Sequence, residues 1–128
     1  MTAADFEEIV ERAIAKIPGR FRRRMNNLLI MVETNPPEPD LLGLYEGRPL
    51  TERSTMDSPG LPDRIRIFQR PHERMAQNRA HLEQMVFDTV WHEVGHYFGL
   101  SESEIHRIEA RRERLRVLKG RRDYNVRR

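Results

Sequence analysis

The 128 residues are enough for one domain with its own core and leave no room for a second. No apolar run approaches the ~18–20 residues of a membrane span, and the absence of cysteine removes disulfides, thiolate metal sites and cysteine nucleophiles. The net charge of +3 is uneven: residues 107–128 hold ten Arg/Lys against three Asp/Glu, so a mildly acidic body ends in a strongly basic segment.

The acidic start, Met1 to Glu8, lacks the basic lead and apolar block of a secretory signal, and a cytoplasmic protein is expected. Phe6, Ile9, Val10, Ala13, Ile14 and Ile17 recur at three- and four-residue spacing, which predicts an amphipathic helix ended by Pro18-Gly19. Arg20, Arg22, Arg23 and Arg24 follow on a connection, with the single aromatic Phe21 among them, and read as solvated rather than phosphate-binding. Leu28 to Val32 is a continuous apolar run, expected to form a strand buried on both faces. The proline-rich piece 35–39 is a rigid connector. Residues 41–50, with two glycines, suit a distorted strand or hairpin. Residues 51–62 suit a loop bordering a cleft, and Ile65-Arg66-Ile67-Phe68 a second strand stopped by Pro71.

From about Asn78 to Leu100 the period turns helical. Leu82, Val86, Val90 and Val94 form one face with Phe87, Trp91 and Phe98 beside it, while Met85, Asp88 and Thr89 precede His92 and His96 on a more polar face. His92-Glu93-Val94-Gly95-His96 reads H-E-x-x-H. Four residues advance a helix by slightly more than one turn, so both imidazoles leave the same side and can share one Zn²⁺. Glu93, beside the first histidine, is placed to act as general base toward a metal-bound water. Gly99 stands where a glycine can turn the chain at a helix end. That turn would bring Glu102 back as the third metal ligand, leaving the fourth position open as in catalytic zinc sites.

Glu102 has a blander reading. Ser101 and Glu104 form a capping box, in which Glu102 is a first-turn acid that favours the helix dipole. The two roles are compatible. His106, four residues on, is the alternative third ligand, or else a group that supports a ligand without touching the ion. His81 is roughly 16 Å upstream along the same helix, too far to share an ion, and His72 follows a proline in an expected turn. A last helix is predicted over 101–118 with Ile105, Ile108, Leu115 and Leu118 inward. Residues 1–118 thus form the expected domain and 119–128 a flexible basic tail. That tail reads as a solvated helix face in preference to a nucleic-acid surface.

The Asn-Asn plus apolar strand, Leu-Leu-Gly-Leu-Tyr-Glu-Gly-Arg-Pro, the Ile-Arg-Ile-Phe strand and His-Glu-Val-Gly-His-Tyr-Phe-Gly-Leu-Ser-Glu resemble the minimal zincin-like metallopeptidases of bacteria over roughly residues 5–110. The resemblance implies an α+β fold, a small mixed sheet packed against helices, with a single zinc held beside it. Members of that family usually carry Asp where this chain has Glu102, one methylene longer. Metzincins, which share part of the motif, add a methionine turn, whereas this chain has no Met after Met85.

The expected function is hydrolysis of peptide bonds by Glu93-activated water on zinc held by His92, His96 and Glu102, with a peptide or protein as substrate. The residues that bind the substrate are not identified by sequence. One alternative is a metal-dependent endoribonuclease, which shares the histidine spacing but has His at the position of Glu102 and no Glu at the second motif position. The other is a catalytically silent zincin-fold binding module.

Overall fold

The computed structural model describes residues 1–48 and 62–126, with side chains described as far as residue 115. The order of elements is α1 (Ala3–Ala15), α2 (Gly19–Arg22), β1 (Leu28–Glu33), β2 (Gly43–Glu46), β3 (Asp63–Phe68), α3 (Gln69–Met75), α4 (Arg79–Tyr97) and α5 (Glu102–Val126). Among the described residues three strands form one mixed sheet in the order β1-β3-β2, with β1 parallel and β2 antiparallel to β3. This is the α+β arrangement, a small mixed sheet with helices against it, that the resemblance implies. Among the described residues no helix is long and apolar enough to cross a membrane.

Alternation in β3 sets the layers. Ile65 and Ile67 are fully buried, whereas Arg64 and Arg66 point the other way. The register carries this to the neighbours: Ile30 and Val32 pair with Ile65 and Ile67, and Tyr45 and Gly43 pair with the same two residues. On that face the isoleucines meet Phe6, Ile9, Val10, Ala13 and Ile17 from the α1 segment and Leu82, Val86, Val90 and Val94 of α4. A Thr2–Asp5 capping box starts α1, and the Asn78 side chain caps α4 by accepting from the His81 N–H at 2.8 Å.

The opposite face corrects the reading of β1. Leu29 and Met31 are 50% and 37% exposed, so the strand is not buried on both faces. An uninterrupted apolar run hides its alternation, because the hydrophobic residues continue onto the open side. There Arg66 crosses the sheet, pairing with Glu33 of β1 at 2.7 Å and Glu46 of β2 at 3.3 Å.

Two further expectations change. His72 is not in a turn: β3 passes directly into α3, Pro71 sits in the first turn of that helix, and His72 is fully buried. Proline lacks a donor but is tolerated there, because the first N–H groups of a helix have no partner within it. In α5, Ile105 is 2% exposed and Ile108 is half-buried, but Leu115 is 56% exposed. The helix continues beyond Leu118 to Val126. The expected loop at 51–62 lies outside the described residues apart from Pro62, as do Pro49, Leu50, residues 127–128 and the side chain of Leu118.

Candidate metal centre

The C-terminal half of α4 is a side wall of the core and the floor of a cleft at once. Val90 and Val94 face the sheet, and the next positions around the helix, His92, Glu93 and His96, face the cleft. The two imidazoles stand one turn apart, their ring centroids separated by 5.0 Å at 74°.

The end of α4 controls what lies opposite. Gly99 has φ 86°, a left-handed value that a Cβ disfavours. Its N–H bonds to the His96 carbonyl at 2.9 Å, and the Leu100 N–H reaches the Gly95 carbonyl at 3.0 Å. These are the paired bonds of a Schellman motif, which satisfy two of the last carbonyls while reversing the chain. The Ser101–Glu104 capping box then starts α5: the Glu104 N–H donates to Ser101 Oγ at 3.2 Å and the Ser101 N–H to Glu104 Oε1 at 3.3 Å. Gly95 lets α5 come close, since a Cβ there would stand 3.0 Å from the Ile105 side chain.

The result is a convergence of three groups. Glu102 Oε1 lies 2.7 Å from His96 Nε2 and 3.2 Å from His92 Nε2. His106 sits outside this meeting point and is 68% exposed, with Nε2 3.7 Å from Glu102 Oε2 and Nδ1 3.7 Å from Glu109 Oε2. His81, in the first turn of α4, accepts from the Gln77 N–H instead.

Glu93 differs in kind from Glu102. It is 8% exposed, against 59% for the Glu102 side chain. Burial raises its carboxyl pKa above the usual value, opposed by the fields of His92 and His96 and by the N–H of Tyr45 in β2, which donates to it. Glu102 moves the other way: its slight burial is outweighed by hydrogen bonds from His92 and His96, so its pKa is lowered. Burial alone would lower the pKa of His92, but the carboxylates of Glu109 and Glu102 overcome it and the net shift is upward. The two carboxylates facing the histidines thus have opposite protonation tendencies.

The donor set suits a borderline-soft ion such as zinc. Nitrogen and oxygen ligands at about 2.0–2.2 Å around a tetrahedral ion lie roughly 3.3 Å from one another. The distance from Glu102 to His92 already matches, and that to His96 needs a small opening, which the exposed and longer glutamate can supply. His92, Glu93 and His96 also offer ligand atoms within 4.8 Å of one another. The Glu93 carboxylate accepts from the Tyr45 N–H of β2, whereas one Glu102 oxygen is in contact with both Nε2 atoms.

Hollows open on both sides of these residues. One, of about 610 Å³, runs past Leu44, Tyr45 and Leu100; the other, of about 430 Å³, runs past Leu42, Met85 and Asp88. They share Leu41, Gly43, His92 and Glu93. Sequence reasoning missed Glu109, whose Oε1 lies 3.2 Å from His92 Nδ1. Its signal was the seven-residue step from Glu102, almost two helical turns, which sets both on one face of α5.

Residues 25–112 match the family described as zincin-like metallopeptidase. The chain is also similar to a solved structure, a conserved hypothetical protein from Thermo thermophilus, with 27% identity and a TM-score of 0.54 over 77% of this chain and 94% of that one. No curated protein matches. The family match includes the whole sheet, α4 and every residue of the convergence just described.

Proposed function

Because this chain belongs to the zincin-like metallopeptidase family, we propose that it is a zinc-dependent peptidase, with one ion held by His92, His96 and Glu102 and with Glu93 as general base. The observation that carries this reading is the approach of one Glu102 oxygen to both Nε2 atoms beside a buried Glu93. Zinc bound there would supply Lewis-acid polarisation of a water and of the peptide carbonyl.

The chain's own residues do the rest. Burial makes Glu93 a stronger base than an exposed carboxylate, and the Tyr45 N–H fixes the direction in which its oxygens point. Glu93 takes a proton from the attacking water and passes it to the departing amine nitrogen. The aliphatic residues Leu41, Leu44 and Leu100 line the cleft and limit the water around the reacting carbonyl. Hollows on either side of His92 and Glu93 support a substrate that continues in both directions from the bond cut, as an extended peptide does.

The test is zinc content and cleavage of a mixed peptide library by the full chain, read by mass spectrometry. Glu93→Gln should retain one zinc and lose cleavage by about 10²–10⁴-fold, and His96→Ala should lose the zinc. A Glu93→Gln protein that cleaves as fast as its parent refutes the mechanism. A zinc-loaded parent that cuts no peptide in the library leaves a non-catalytic zincin fold instead.

A further inference from the structure

His92 has two ring nitrogens, and α5 presents a carboxylate to each. Nε2 is 3.2 Å from Glu102 Oε1, and Nδ1 is 3.2 Å from Glu109 Oε1. A neutral imidazole carries a single hydrogen, and the nitrogen that keeps it cannot ligate a metal. An ionised carboxylate only accepts, so once an ion takes the Nε2 side, where Glu102 also stands, the hydrogen of His92 stays on Nδ1 and Glu109 accepts it. We propose that Glu109 is a positioning residue: it holds the proton and the ring plane of His92 so that the Nε2 lone pair faces the ion. The inference rests on the metal reading above and extends it to a residue outside the H-E-x-x-H motif.

Glu109 is built into place. Its side chain is 31% exposed, about half the value for Glu102. One turn earlier, Ile105 is buried against Gly95. Three residues later, Arg112 lies over the rings of Phe87 at 4.4 Å and Trp91 at 5.6 Å, both on α4 just ahead of His92. The helix is therefore gripped on both sides of Glu109. Among the described residues His96 has no equivalent partner on Nδ1, so this support is particular to His92. A carboxylate on the far nitrogen also raises the basicity of the ligating one.

Zinc affinity measured by competition with a chromophoric chelator tests this on the full chain. Glu109→Ala should weaken zinc binding about 10–100-fold, the usual effect of removing such a support. Glu109→Gln should recover most of the loss, since its amide oxygen still accepts from Nδ1–H. Nitrogen-correlated NMR of the zinc-loaded parent should show a hydrogen on His92 Nδ1 that exchanges slowly, and faster in Glu109→Ala. Arg112→Ala loosens the grip on α5 while leaving Glu109, and should weaken zinc less than Glu109→Ala does. Unchanged affinity in Glu109→Ala, no rescue by Gln, or an equal loss in Arg112→Ala would each overturn the proposal. A parent that takes up no zinc, or a His96→Ala protein that binds it as well as the parent, removes the metal reading itself, and this inference with it.

Discussion

Replacing Gly99 by alanine should cost little enough to leave the fold intact and enough to be measured. At φ 86° the added Cβ meets the following carbonyl, a penalty of about 1–2 kcal/mol. Alanine also narrows the unfolded ensemble, which returns about 0.4–1 kcal/mol. The native penalty wins, and a net destabilisation of about 1 kcal/mol remains. With an unfolding entropy near 2.1 cal/mol/K per residue, a chain of this length has roughly 0.27 kcal/mol/K in all, so the metal-free melting temperature should fall about 4 °C. Thermal unfolding followed by far-ultraviolet circular dichroism measures it. Gly99→Asn, which tolerates the left-handed region better, should lose less. With saturating zinc the gap between Gly99→Ala and the parent should widen, because Glu102 stands three residues beyond the altered turn. An alanine variant that melts within about 1 °C of the parent in both conditions refutes the role assigned to the turn.

Two titrations give further checks on the metal-free protein. Glu93→Gln should be more stable than the parent at neutral pH by about 1 kcal/mol, since active-site groups are often held at a cost to the fold. Burial raises the folded pKa of Glu93, so the folded parent holds the extra proton from about the ordinary value of 4.5 upward, and its stability falls as pH rises through the folded pKa. The advantage of the Gln variant should therefore open with rising pH; a constant gap in urea unfolding speaks against it. His72 works with the opposite sense. Burial lowers its pKa despite the hydrogen bond to the Phe68 carbonyl, so the unfolded chain gains a proton near 6.5 that the folded one refuses. Stability should be lost as pH drops below 6.5, by up to about 1.4 kcal/mol per pH unit. His72→Gln should flatten that slope relative to the parent, and identical slopes would refute the assignment.

The helix faces were legible because burial in α1 and α4 follows the 3.6-residue period closely: Leu82, Val86, Val90 and Val94 are all within the core. The Gly99 turn and the Ser101–Glu104 cap were readable because each depends on neighbours within a few residues. What escaped depends on distant neighbours. β1 looks like a central buried strand, but among the described residues it lies at the sheet edge with helices on one face only, and nothing local to Leu29 or Met31 says so. The burial of His72 is decided by Phe6, far back in α1, and by the Thr89 hydroxyl on α4, 2.9 Å from its Nε2. The contact of Glu109 with His92 needs the angle between α4 and α5, which only the folded turn supplies.

The site straddles two helices, α4 and α5. His92 and His96 belong to a helix buried in the core, whereas Glu102 and Glu109 ride on one that Ile105, a cap and the Arg112 stack secure among the described residues. Any cation clasped between them would act as a rivet for the closing helix. Metal uptake and the seating of that helix would then be a single linked equilibrium, so that protease nicking of the C-terminal segment reports occupancy without any substrate being turned over.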